Sequence, residues 1–82
     1  MRRARDSRSW EAVVKGILRA ELARRELSYA DLADRLAAIG VRENTRNLSN
    51  KINRGRFTAI FFIQCMMAIG AHTIHFNDGI RQ

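Results

Sequence analysis

Residues 27–55 read LSYADLADRLAAIGVRENTRNLSNKINRG, and the way they divide into two helices and a turn decides the fold. Ser28 with Asp31 three residues later forms a capping box, Asp standing in for the commoner Glu. Leu32, Ala33, Leu36 and Ile39 then recur at helical spacing, and Gly40 can take the left-handed conformation that ends a helix. The spacing predicts a helix over 29–39 and a short turn reaching Glu43. Asn44 or Thr45 can cap the next helix, in which Leu48 and Ile52 are the only large apolar residues before Gly55 stops it. At 100° per residue the opposite face carries Arg46, Asn50, Asn53 and Arg54, with Asn47 and Lys51 at its flank. A merely solvated polar helix would more often pair Glu with Lys at i,i+4 than use three Asn, which form helices poorly. A helix from 44 to 53 with so little to bury is there to present a surface.

Outward from this segment the chain reads as further helices. Toward the N-terminus, Trp10, Val13, Val14, Ile17, Leu18 and Leu22 keep helical spacing after Ser9. Glu11 in the first turn and Arg24 and Arg25 in the last match the macrodipole. Trp10 is expected to anchor this first helix to the core rather than to stack on a base. Beyond Gly55, Thr58 can cap a helix running to Gly70 that is apolar on every side, with Cys65 as a core thiol. Its surplus apolar surface calls for the C-terminal segment or a second subunit as cover. From Ala71 to Asn77, Thr73, His75 and Asn77 alternate with Ile74 and Phe76, the pattern of a short half-buried strand. That segment either lies over the preceding helix or pairs with its copy in a dimer.

The chain has 82 residues, 46% hydrophobic, with no proline and 5 glycines, enough for one core and inclined to helix. The expected architecture is all-α with four to five helices and a short extended C-terminal segment. Residues 1–8 are expected to form a flexible basic arm and 9–82 a single domain. The net charge is +7, and 13 of the 15 basic residues are Arg, the better bidentate donor to phosphate and guanine. The whole excess lies in two segments, +3 over residues 1–8 and +4 over 42–56. A polyanion gains affinity from each phosphate so neutralised. A membrane surface would want apolar groups interleaved with the charge, and neither segment offers many. The apolar run over 57–71 is too short for a membrane span. One cysteine and no recognisable leader suggest a cytoplasmic, nucleoid-associated protein.

The first helix, the stretch Leu27 to Leu36, a turn, a short polar helix and Asn53-Arg54-Gly55 together resemble the λ repressor and Cro-like helix-turn-helix family, from about Val13 to Ala71. Ser28, Leu32, Ala33, Arg54 and Gly55 match the family pattern, and Asn53 takes a position that is commonly acidic. The chain also looks like a group of small uncharacterised bacterial helical domains. The resemblance implies that the helix over 44–53 is a recognition helix, braced by the preceding one so that its N-terminal half enters the major groove. Tyr29 stands where the family commonly has a phosphate-holding glutamine, and a tyrosine hydroxyl can donate to phosphate too.

Arg46, Asn47 and Asn50 are the expected base readers, since Arg suits guanine O6 and N7 and Asn suits adenine N6 and N7. Lys51, Arg54 and Arg56, near the helix end, and Arg42 before it suit phosphate positioning, as do Ser28, Tyr29 and Thr45 at helix N-termini. Arg2, Arg3 and Arg5 of the arm can follow the backbone or enter a minor groove. His72 and His75 are three residues apart, but only Asp78 is near them, and neither metal nor cofactor is expected. There is no phosphate-cradling Gly-rich loop, nucleophile elbow or paired carboxylates, so an enzyme is not expected.

The leading expectation is a transcriptional regulator, acting as a repressor on double-stranded DNA and as a homodimer through 58–70, 71–77 or both. A protein-binding module of the same fold, an antitoxin or adaptor docking through helix 58–70, is the alternative. Its mark would be an exposed patch of Phe61, Phe62, Met66 and Met67. Single-stranded or RNA binding is disfavoured by the scarcity of aromatic rings in the basic segments.

Overall fold

Ser9 opens the first helix, its hydroxyl accepting from the Ala12 N–H at 3.1 Å, and α1 runs Trp10–Arg24. The computed structural model describes residues 9–80, so the arm at 1–8 with Arg2, Arg3 and Arg5 lies outside the described residues. Four more helices follow: α2 (Tyr29–Ala38), α3 (Thr45–Arg54), α4 (Ala59–Ala68) and α5 (Phe76–Ile80). The architecture is all-helical, with no strand among the described residues.

Local chemistry sets the boundaries. Ser28 and Asp31 make the complete capping box, with Oγ accepting from the Asp31 N–H at 3.0 Å and the Ser28 N–H donating to the carboxylate at 2.9 Å. Asn44, rather than Thr45, caps α3, and Thr58 caps α4. α1, α2 and α4 end alike, the second residue after the cap donating its N–H back to the third-from-last carbonyl: Leu27 to Leu22, Val41 to Leu36 and Ala71 to Met66. This closure needs a left-handed residue. Gly40 and Gly70 supply it after α2 and α4, whereas after α1 it is Glu26, at φ 55°.

Leu18, Leu32, Leu36, Leu48, Ile52 and Cys65 are fully enclosed and join one core through α1, α2, α3 and α4. The inner side of α3 is thus Leu48 and Ile52, placed as their four-residue spacing requires. Truncating either to Ala in so closed a core costs roughly 2–5 kcal/mol. Glu21 is buried too, held by Arg25 at 2.5 Å and Arg24 at 3.1 Å, and Arg24 also binds Asp78, which fastens α5 onto α1. The hydrogen bond that Arg24 donates to the Asp78 carboxylate raises the Arg24 pKa above its ordinary value.

Three expectations are corrected. Trp10 is no core anchor: it is 81% exposed. α1 has 15 residues against 10 in α2, and its buried positions begin only at Ile17, so its first turn overhangs the core. The alternating segment 71–77 is not a strand. Ala71–His75 has no regular structure and Phe76 opens α5, because the surface beside it is the flank of α1, which offers no unpaired backbone edge. Finally, α4 does not expose Phe61, Phe62 and Met66. Phe61 and Met66 are buried and Phe62 is half-buried, while Ile60, Ile63 and Met67 form the outward stripe at 71%, 51% and 66% exposure.

Candidate nucleic-acid interface

α3 crosses the surface with one side sealed and the other open. Leu48 and Ile52 fix its rotation, so Arg46, Asn47, Asn50, Asn53 and Arg54 face solvent. Arg46, Asn47, Asn50 and Arg54 make no side-chain hydrogen bond or ion pair with another described residue, which leaves their donors available. The first turn of α3 holds no acidic residue, unlike those of α1, α2 and α5. The Asn44 side chain takes only the Asn47 N–H, at 2.8 Å. The first turn of α3 therefore brings no carboxylate to the positive end of the helix dipole, where Glu43 just before the cap is the nearest acid in sequence, and Arg46 lies inside that turn with the exposed Arg42 three residues ahead of Thr45.

Asn47, Asn50, Lys51, Arg54 and Arg56 line one shallow polar depression along with Glu43, so two expected base readers and three expected phosphate ligands lie together. Two of those cations are already engaged. Lys51 Nζ is 2.7 Å from Glu43 and 4.5 Å above the Phe61 ring, and Arg56 pairs with Glu11 at 3.1 Å. Both remain beside the open face, with a smaller net field than Arg42, Arg46 and Arg54 supply.

The other flank of α3 is tied to α1 and α2. Arg19 donates from Nε to the Tyr29 hydroxyl at 3.2 Å and from its terminal nitrogen to Asn53 Oδ1. Tyr29 Oη reaches the same oxygen at 3.5 Å, and Asn53 Nδ2 donates to Ser49 Oγ at 3.4 Å. Lys15 Nζ donates to the Asn53 carbonyl at 3.1 Å, near the C-terminus of α3 where a cation is favoured. Sequence reading placed neither Lys15 nor Arg19 here, because 38 and 34 residues separate them from Asn53. Their four-residue spacing puts them on one side of α1, the only local signal that could have suggested a joint role. Ser28 and Tyr29 lie beside Arg19 around a second depression, Ser28 with its hydroxyl already capping α2.

At its end α3 meets α1 almost without clearance. A Cβ on Gly55 would lie 2.3 Å from the Glu11 carbonyl oxygen, and Gly55 has φ 67°. Cys65 is remote from this surface in function: burial, foremost, pushes its thiol up to about 12, so the reactive thiolate is scarce. Among the described residues no three His, Cys, Asp or Glu gather as metal ligands, and no helix is long and apolar enough to cross a membrane.

A family model described as Domain of unknown function (DUF6471) matches residues 10–74, which run from the first residue of α1 past the end of α4. The chain belongs to this family. The DUF6471 match therefore takes in α3, Lys15, Arg19 and Gly55 together. Comparison with curated proteins and with solved structures gives no match.

Proposed function

We propose that the chain is a sequence-specific, double-stranded-DNA-binding regulator in which α2 and α3 form a λ repressor/Cro-like helix-turn-helix and α3 is the recognition helix. The observation that carries the reading is the outer face of α3: Arg46, Asn47, Asn50 and Arg54 exposed and unengaged among the described residues, on a helix whose inner side is fully buried. Side chains of these types match the donor and acceptor pattern of the major groove, at about 1–3 kcal/mol of discrimination for each good bidentate pair. Arg46, Asn47 and Asn50 read base edges, while Arg42, Arg54 and the backbone at Thr45 position the phosphates, with Lys51 and Arg56 contributing once their acidic partners yield. The stripe of Ile60, Ile63 and Met67 serves a second copy, so that a dimer meets two half-sites about one helical turn apart and represses by occlusion. Action on the chromosome places the protein in the cytoplasm, at the nucleoid.

The test is selection of random-sequence duplexes by the purified protein, with affinity measured at several salt concentrations. A steep salt slope with an enriched, two-fold-related site is the expected result. No binding to duplex at low salt contradicts the reading. The outward stripe of α4 equally suits a second reading, a protein-binding module docking through Ile60, Ile63 and Met67 in place of a second copy. That module would bind its partner with the α3 face mutated, and would lose it on Ile63→Lys.

A further inference from the structure

We infer that Lys15 and Arg19 on α1 are phosphate ligands for a DNA duplex lying along α3, and that Asn53 holds them in place without cancelling their charge. The inference rests on the DNA reading above. Arg19 has five N–H donors, of which one goes to Tyr29 and one to Asn53, so three remain for an incoming oxyanion. Lys15 uses one of three on the Asn53 carbonyl. All these partners are uncharged. Four other cations are matched differently: Arg24 and Arg25 meet Glu21, Lys51 meets Glu43, and Arg56 meets Glu11. The pair on α1 is thus oriented by hydrogen bonds while meeting no carboxylate among the described residues, beside the face that carries Arg46 and Arg54. Arg19 lies at the rim of a shallow, mostly apolar depression that Leu22, Ala23, Leu27, Ser28 and Tyr29 also line, so a phosphate would meet its guanidinium from the open, solvent side. The footprint on DNA then extends from α3 across to α1, fixing the register of α3 in the groove from one side.

An acid at position 53 would keep the shape of Asn53 and convert the Arg19 contact into an ion pair. The salt dependence of binding to one fixed duplex is therefore measured for the native chain, Arg19→Ala, Arg19→Lys, Asn53→Asp and the double variant Arg19→Ala with Asn53→Asp, with thermal unfolding alongside. Each phosphate contact contributes a slope of about 0.9 in log K against log salt, so Arg19→Ala lowers the slope by about one and the affinity at 0.1 M salt roughly eightfold. Asn53→Asp is expected to lower the slope similarly while unfolding no earlier than the native chain, and Arg19→Lys to restore most of the slope. The double variant should bind more weakly than Arg19→Ala, because the aspartate left without Arg19 faces the duplex and Lys15 as an unpaired charge. An unchanged slope in Arg19→Ala and Asn53→Asp, with the native chain binding duplex, overturns this inference alone. Failure of the native chain to bind overturns both it and the DNA reading.

Discussion

Glu26, Gly40, Gly55 and Gly70 carry backbone conformations that side chains normally resist. Glu26 sits at φ 55° in the position after α1 that Gly40 and Gly70 occupy after α2 and α4. A left-handed non-glycine residue costs roughly 1–2 kcal/mol. Glu26→Gly should therefore stabilise the fold, by up to about 1 kcal/mol once the added freedom of the unfolded chain is offset, read as a higher midpoint in urea. A lower midpoint would mean that the Glu26 side chain contributes more than its backbone costs. Gly55 and Gly40 make a sharper pair. Both have positive φ, but only Gly55 has no space for a Cβ, with the Glu11 backbone 2.3 Å away, while nothing lies within 4 Å at Gly40. Gly55→Ala is expected to destabilise clearly more than Gly40→Ala, and to loosen α3 against α1 as well. Equal losses would show that conformation alone matters at both sites. Gly40 and Gly55 were legible as helix stops from sequence, but Glu26 was not, since glutamate has no local feature that favours the left-handed region.

Whole elements were legible where a cap and an apolar period coincide. The Ser28 to Asp31 box and the Leu32, Leu36 spacing specify α2, and Asn44 with Leu48 and Ile52 specifies α3. The box also gives α2 a pH dependence. The Ser28 backbone N–H, with its hydroxyl next, holds the Asp31 carboxyl below its ordinary 3.8. A depressed folded value means that the stabilisation is fully present above the unfolded value and is lost as pH falls through the lower, folded one. In thermal unfolding followed from about pH 5 to about pH 2, Asp31→Asn should flatten part of the acid-side decline. An identical decline in both proteins would mean that the box contributes nothing through charge. Elements defined by their neighbours were less legible. Alternation in 71–77 looks like a strand, yet an isolated alternating segment beside a helix has no ladder to join, and Asp78 finds Arg24 instead. Similarly, α4, whose one polar residue is Gln64, gave little hint of which side faces out, because periodicity is weak when nearly every position is apolar.

At the scale of the molecule, the site divides into a part written in one segment and a part assembled by the fold. Arg46, Asn47, Asn50 and Arg54 share a face by helical geometry alone, so sequence sufficed to group them. Lys15, Arg19 and Tyr29 join Asn53 only after α1, α2 and α3 pack, which no spacing rule anticipates. The same packing decides which cations keep their field: Lys51 and Arg56 face carboxylates drawn from elsewhere, whereas the outer α3 arginines meet none among the described residues. Base reading by that face is the central claim, and one comparison tests it most directly. Affinity for a selected duplex and for a scrambled duplex is measured for the native chain, Arg46→Ala, Asn50→Ala and Arg54→Ala. Arg46→Ala and Asn50→Ala should cut the ratio of the two affinities by roughly five- to a hundredfold, while Arg54→Ala weakens both duplexes alike. Equal losses on both duplexes from all three substitutions would contradict base readout and leave α3 a purely electrostatic surface.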